Sequence, residues 1–380
     1  MTEKTLQPTL AHLPGEQDHA RTAVESARMI SQPDELAERA SEWRDLGAIG
    51  LDTEFVRERT FYPRPGLIQL SCGQHVWFVD AVRLPECPAL AKLLDHRPTS
   101  KILHSVGEDM EVFRILTGTV PDPLFDTQIA AAMLGHPLQC RYEQLVADTL
   151  GVELAGGKAR SDWCKRPLNR DLLTYAAQDV IWLPRLHALL SERLERAGRL
   201  AWLEEDCARL VESSRTENSG PALLRIKGAG RLSVPALALL ETLADWRDAV
   251  ARQRDLPRSF VIRDEDLVAL AEAGAAGRLD AALRALPEPV RRRYRDALGD
   301  RIEAGGRPDF VRPQELVPQT PEQRDWIRSA QQTVARIADD LNMDPALIAS
   351  KRELTRVSRG ERPDWLTGWR RPLLSELLES

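Results

Sequence analysis

The sequence predicts an α/β domain built on a mixed sheet, followed by two small all-α domains. Three observations carry that prediction. Strand-like runs follow one another closely between residues 48 and 80. Short strands then alternate with helices to about residue 196. Beyond a polar, turn-forming stretch at 211–221 the strand signal stops and helical patterning takes over. A meander that passes into strand–helix alternation implies a sheet flanked by helices. At 380 residues the chain is also too long for one ordinary domain.

In chain order, Met1 to about Ser26 is polar and reads as a flexible leader. A helix is expected over Pro33–Arg44, with Ser31 or Asp34 near its start. Strands follow at Ala48–Phe55, Leu67–Cys72 and Val76–Asp80, the last two separated by Gly73-Gln74 as a tight turn. The alternating part places helices at Pro88–Asp95, Gly107–Leu116, Thr127–Leu134 and Tyr142–Leu150. Its strands are Lys101–His104 and an edge-like Leu124–Thr127. One long helix then runs from Asp171 to about Arg196, with Asn169 or Arg170 just outside it. After the linker, helices are expected at Val234–Arg254, Asp264–Ala273, Arg278–Ala285 and Glu288–Leu298. A Pro-rich break at 305–321 precedes Glu322–Leu341, Pro345–Ser350 and Lys351–Ser358. Both helical groups place a long helix before a short segment (258–262 and 344–349), a weak internal repeat.

Composition excludes several classes. No apolar run approaches the roughly 18 residues of a membrane helix, and the N-terminal stretch has no apolar signal core. Five scattered cysteines without a C-x-x-C pair fit neither a disulfide framework nor a zinc cluster. A cytoplasmic protein without membrane contact is expected. The net charge is −6, but residues 221–300 and 351–380 are each about +2, leaving about −10 elsewhere. That bias permits contact with a polyanion without requiring it.

The chemistry concentrates in three places. Leu51-Asp52-Thr53-Glu54-Phe55 is an apolar strand interrupted by two acids one residue apart. Strand side chains repeat every second residue, so Asp52 and Glu54 share a face and repel unless a cation lies between them. Asp109 follows the strand ending at His104. Tyr175 and Asp179 stand four apart on the long helix and so share one helical face. Four acids offer only oxygen donors, the hard set that suits Mg²⁺ or Mn²⁺, not zinc. Two such ions about 3.5–4 Å apart can clamp the attacking water and leaving oxygen of an in-line phosphodiester displacement. An unperturbed phenol, with a pKa of about 10, is a poor base at neutral pH, so Tyr175 is read as orienting the water.

These blocks look like the three exonuclease motifs of the Asp-Glu-Asp-Asp family, in the variant with tyrosine before the last aspartate. The surroundings resemble the ribonuclease D family in particular: Leu51–Arg57, Tyr62-Pro63, Gly66–Leu70, His104–Phe113, Phe125–Gln128, Ser161–Trp163 and Arg166–Leu168. Residues 240–267, with Ala244-Asp245-Trp246-Arg247 and Arg258–Val261, are similar to the HRDC module that follows the nuclease in that family. The match spans about residues 28–300, and the tail more weakly. The resemblance implies a ribonuclease H-like sheet and a 3′→5′ exoribonuclease releasing 5′-mononucleotides. It also implies trimming of RNA with a free 3′ end, such as tRNA precursors and other small stable RNAs. By the same likeness Asp52, Glu54, Asp109 and Asp179 hold two divalent ions, Mg²⁺ or Mn²⁺, and Tyr175 positions the water. The expected organisation is leader 1–26, exonuclease domain 27–210, linker 211–221, HRDC domain 222–303, linker 304–320 and a second HRDC-like domain 321–380, working as a monomer.

Further substrate-binding candidates are Phe55, Gln69, His104, Trp163, Arg166 and Arg292. Phe55 is either a stacking platform for the terminal base or a core aromatic. His104 reads first as structural, and Asp126 as a helix cap. Trp163 and Arg166 sit in the loop before the motif helix, available either to RNA or to loop packing. Arg292 lies in Arg291-Arg292-Arg293-Tyr294-Arg295, either a phosphate grip or a solvated helix face. Two rival functions are a DNA-directed 3′ exonuclease, since only 2′-OH contacts separate the sugars, and a non-catalytic nucleic-acid-binding scaffold.

Overall fold

A computed structural model describes residues 22, 24–72, 75–154, 157, 160–216 and 220–379. The Gly73-Gln74 turn, nearly all of the expected leader and residues 217–219 of the expected linker lie outside them. The sheet has six strands: β1 (Arg28–Ile30), β2 (Ala48–Val56), β3 (Arg64–Cys72), β4 (His75–Asp80), β5 (Ser100–Leu103) and β6 (Leu124–Asp126). Their spatial order is β1-β4-β3-β2-β5-β6. β2, β3 and β4 form the expected antiparallel meander, whereas β5, β6 and the unanticipated β1 are parallel to their neighbours. β2 is central and none of its residues is exposed, which explains its apolar run.

Helices α1 (Pro33–Trp43), α2 (Pro88–Leu94), α3 (Asp109–Thr117), α4 (Thr127–Ala132) and α5 (Tyr142–Leu150) lie where patterning put them, within a few residues. The first starts at Pro33 as expected, with Ser31 and Asp34 near its start and Gln32 at the cap position. The long helix expected over 171–196 is two: α6 (Arg170–Ile181), capped by Asn169, and α7 (Leu183–Arg196). Pro184 explains the break, because it has no N–H to give the Val180 carbonyl one turn earlier. Ser71 Oγ on β3 donates to that carbonyl instead, at 2.6 Å. The junction therefore docks onto the sheet, and Gly50 on β2 makes room for it. A Cβ there would lie 2.3 Å from Ser71 Oγ and 2.9 Å from Leu183 Cβ. A further helix, α8 (Leu200–Ser214), runs into the stretch expected to be linker and packs Leu203, Cys207 and Val211 inward.

The remaining helices are α9 (Val234–Arg254), α10 (Arg258–Val261), α11 (Asp264–Ala275), α12 (Leu279–Ala285), α13 (Glu288–Glu303), α14 (Pro321–Leu341), α15 (Pro345–Ile348), α16 (Lys351–Ser358), α17 (Arg370–Leu373) and α18 (Ser375–Glu379). The internal repeat is visible in the backbone. Both α9 and α14 end on a left-handed residue, Asp255 and Asn342, each with φ 49°, and each is followed by a one-turn helix. Asp and Asn are the side chains that tolerate that conformation best.

The two groups pack differently. Residues 222–310 form their own core. Residues 330–374 instead share one continuous core with the sheet domain. Arg370 forks onto buried Asp206 of α8 at 2.7 and 2.8 Å, and Trp369 stacks on Trp202 with centroids 4.6 Å apart. Two aromatics of the loop after β2 reach the separate core, Phe61 within it and Tyr62 against it. Phe61, from the loop after β2, is buried among residues of α9 and α10, with the guanidinium groups of Arg252 and Arg258 at 4.8 and 4.7 Å from its ring. Asp255 Oδ1 accepts from the backbone N–H groups of both Phe61 and Tyr62, at 2.9 and 3.0 Å. Among the described residues no helix is long and apolar enough to cross a membrane.

Candidate active site

β2 brings Asp52 and Glu54 to one face at the C-terminal end of the central strand, where a bulge between Glu54 and Phe55 ends the regular register with β3. α6 crosses that end and adds Asp179. One carboxylate oxygen from each of Asp52, Glu54 and Asp179 lies within 4.8 Å of the other two. Asp109, in the first turn of α3, lines the same cavity of about 810 Å³. Its carboxylate accepts a short hydrogen bond from the Thr53 hydroxyl. Three of the four acids thus converge directly, and the fourth is tethered beside them.

The charges are costly where they stand. Burial, then the charges of Asp109, Asp179 and Glu54, pushes Asp52 well above the usual carboxylate range. Burial followed by the Asp179 and Asp109 charges raises Glu54 to about 9. Burial raises Asp109 and Asp179 each to about 7. Carboxyl groups that hold protons at neutral pH mark an environment short of positive charge. Tyr175 also lines the cavity, and burial together with the surrounding acids pushes its phenol up, so it stays protonated. The acids form an all-oxygen donor set able to bind a metal.

The other sequence candidates separate into two groups. Phe55 lines the cavity, half-buried. His104 also lines it, but both ring nitrogens are occupied, by Thr127 Oγ1 and the Cys140 carbonyl, each at 2.9 Å, and burial lowers its pKa. Gln69 is fully buried opposite Asp52 and donates to Asp52 Oδ2 at 3.3 Å, so it meets the acid and not the solvent.

Of the two readings left open for Trp163 and Arg166, RNA contact or loop packing, the structure shows their side chains spent on loop packing. Trp163 is wholly buried over Gly66, whose added Cβ would lie 2.6 Å from the Trp163 carbonyl oxygen. Arg166 forks onto Asp80 at 2.9 and 2.6 Å and donates to the Gly66 and Trp163 carbonyls at 2.6 and 2.7 Å. Arg292 is exposed on α13 and lines neither this cavity nor its neighbour.

Asp126 caps α4 through Gln128 N at 2.8 Å. It also accepts from Ser105 N and Val106 N, both at 3.1 Å, fixing the turn that delivers Asp109. Three charged lining residues, Glu58, Glu143 and Arg160, escaped the sequence reading, whereas Ser161 stood in a quoted block without a role. Arg160 and Ser161 lie in a loop, and Glu143 on α5 carries no local signal beyond a surface acid.

Comparison with known proteins decides the family. Residues 27–195 match the 3′-5′ exonuclease domain family, and residues 236–302 match the HRDC domain. Ribonuclease D of Pseudomonas paraeruginosa is 37% identical over 354 residues, covering 90% of this chain and 94% of that one. The chain belongs to the ribonuclease D family. It is thereby a 3′→5′ exoribonuclease, a phosphodiester hydrolase. Ribonuclease D of Escherichia coli is 34% identical, over 93% of this chain and 97% of that one. The crystal structure of Escherichia coli RNase D, described as an exoribonuclease involved in structured RNA processing, superposes with a TM-score of 0.82 at 32% identity. It covers 92% of this chain and 97% of that one. The α/β exonuclease domain and the HRDC domain expected from the motifs are those of the ribonuclease D family.

Proposed function

We propose that the chain removes 5′-mononucleotides from RNA 3′ ends with two divalent ions, Mg²⁺ or Mn²⁺, held by Asp52, Glu54, Asp109 and Asp179. Its substrates would be tRNA precursors and other small stable RNAs, met in the cytoplasm by a monomer. The single observation that carries the reading is the gathering of largely buried carboxylates whose proton affinities burial and mutual repulsion raise above the usual carboxylate range. The donor set fits hard cations: oxygen only, concentrated negative charge, and a roomy cavity in front. When bound, such ions supply charge neutralisation at the scissile phosphate and activation of the attacking water.

The protein's own groups do the rest. Gln69 fixes one oxygen of Asp52, and Thr53 fixes Asp109, so two ligands are oriented before any cation arrives. The Tyr175 phenol keeps its proton and is a donor, able to orient a water or phosphate oxygen but not to remove a proton. Residues 27–210 would form the nuclease, with 222–303 and 321–380 as helical modules flanking it. Five unpaired cysteines suit a reducing compartment.

The deciding experiment digests matched RNA and DNA oligomers with and without Mg²⁺ or Mn²⁺ and reads product size. Metal-dependent mononucleotides from RNA are expected. Equal digestion of DNA would favour the DNA-directed alternative, and metal-independent release would remove the acidic cluster from the chemistry.

A further inference from the structure

The loop after β2 is one wall of a second cavity, of about 940 Å³. The opposite wall comes from the HRDC region: single turns at Ala222–Arg225 and Ala229–Arg231, the segment around α10, and the start of α11. Arg57 and Glu58 line both this cavity and the active site, so the two join into one groove. Among the described residues that line the second cavity, seven are basic and three acidic, a surplus of four positive charges. In a chain of net charge −6 that is a local concentration, not a background.

Part of the positive charge is neutralised within the fold. Arg247 pairs with Asp264 at 2.7 Å and Arg258 with Asp248 at 2.8 Å. Lys227 and Arg231 are different: both are exposed, and neither has a carboxylate partner among the described residues. Arg263 meets only the exposed Glu265, at 3.2 Å, a pair that water and salt weaken. Phe260, next to the groove-lining Ser259, keeps 57% of its surface exposed. Unpaired cations in a groove, with an exposed aromatic one residue from its lining, are the chemistry that holds a phosphate while a base stacks.

We propose that this groove binds the RNA strand on the 5′ side of the nucleotide being removed, with Lys227 and Arg231 gripping phosphodiesters and Phe260 stacking on a base. The proposal rests on the exoribonuclease reading of the acidic cluster, which places the 3′ end at Asp52 and Glu54. The strand then leaves past Arg57, where the cavities meet.

The test uses the full chain with Mg²⁺ and compares a 16-nucleotide single-stranded RNA with a dinucleotide. For the Lys227→Ala/Arg231→Ala variant, KM for the 16-mer should rise about tenfold more than for the dinucleotide, with kcat nearly unchanged. Losing two phosphate contacts should also flatten the slope of log affinity against log salt by about 1.4. Phe260→Ala should weaken 16-mer binding roughly tenfold while leaving that slope alone. Lys351→Ala/Arg352→Ala on α16 removes the same charge elsewhere and should change neither quantity. An unchanged KM and salt slope in the groove variant would overturn the proposal, as would an equal loss in the α16 variant. Binding of the 16-mer in chelator is measured in parallel. If no protein hydrolyses either substrate, the exoribonuclease reading fails, and the groove stands or falls on the binding difference alone.

Discussion

Asp179→Asn separates the stability of the acidic cluster from its chemistry. At the 4.8 Å that bounds the three carboxylates, two unit charges cost about 3.5 kcal/mol at an effective dielectric constant of about 20. The metal-free protein relieves this by retaining protons, and burial foremost moves Asp179 from 3.8 to about 7. A group so shifted costs the folded state roughly 3–4 kcal/mol at pH 7, because the unfolded chain ionises it freely. Asparagine has the same shape and no charge, so most of that cost disappears. Exchanging the charged acceptor that faces Tyr175 for a neutral amide oxygen returns about 1 kcal/mol. The variant should therefore be more stable than the parent in chelator, by on the order of 2–3 kcal/mol, or about 5 °C in Tm. Saturating Mg²⁺ should erase most of that advantage, since ligand at a hundred times its Kd adds about 2.7 kcal/mol to the parent and much less to the variant. Scanning calorimetry at pH 7, with and without metal, reads both quantities, and nucleotide release should be lost throughout. A lower metal-free Tm in the variant, or equal stabilisation of both proteins by Mg²⁺, would refute the argument.

Two other perturbations follow from the geometry. Glu54, Asp109 and Asp179 have folded-state pKa values above their unfolded ones, at about 9, 7 and 7. The folded protein therefore holds extra protons. The associated stability is complete below about pH 4 and is lost as pH rises through 7 to 9, by about 1.4 kcal/mol per pH unit for each extra proton. Urea denaturation in chelator from pH 5 to 9 should show this decline and Mg²⁺ should flatten it; a rising metal-free curve would contradict the assignment. Separately, Asp255→Ala removes the shared acceptor of Phe61 N and Tyr62 N, at about 1–3 kcal/mol for each buried donor left unpaired. Hydrogen exchange at 57–62 should accelerate, Asp255→Asn should restore protection, and unaltered exchange in the alanine variant would show that the contact carries no load.

Much of the catalytic end was legible because its signals are local. The apolar run around Asp52 and Glu54 fixes a buried strand, and period-two alternation fixes the shared face. The Tyr175–Asp179 spacing fixes a helical face in the same way. What escaped depends on distant partners. Trp163 and Arg166 left RNA contact and loop packing equally open, and the choice rests on Asp80, eighty-six positions before Arg166, whose ion pair holds the loop over Gly66. The three-residue β1 is too short for any periodic signal and exists only because β4 offers a free edge. Pro184 was visible, but proline is tolerated in a first helical turn. Only the Ser71 hydroxyl waiting for the Val180 carbonyl makes a break there stable. The end of α8, Glu212-Ser213-Ser214, has linker composition, and its helix is held by the inward face of Leu203, Cys207 and Val211.

The segment from Glu54 to Phe61 ties these observations together. Arg57 donates to the Phe61 carbonyl at 3.1 and 2.7 Å and pairs at 2.7 Å with Glu111 on α3, the helix that begins at Asp109. One guanidinium thus links the exit of β2, the helix carrying a second acid, and the loop whose aromatic is buried in the HRDC core. Charge is segregated along the same path. Acids that need cations lie on one side of Arg57, and cations that need anions lie on the other. A phosphodiester chain threaded through both cavities meets each need in turn, which is how a chain of net negative charge can hold a polyanion without a generally basic surface.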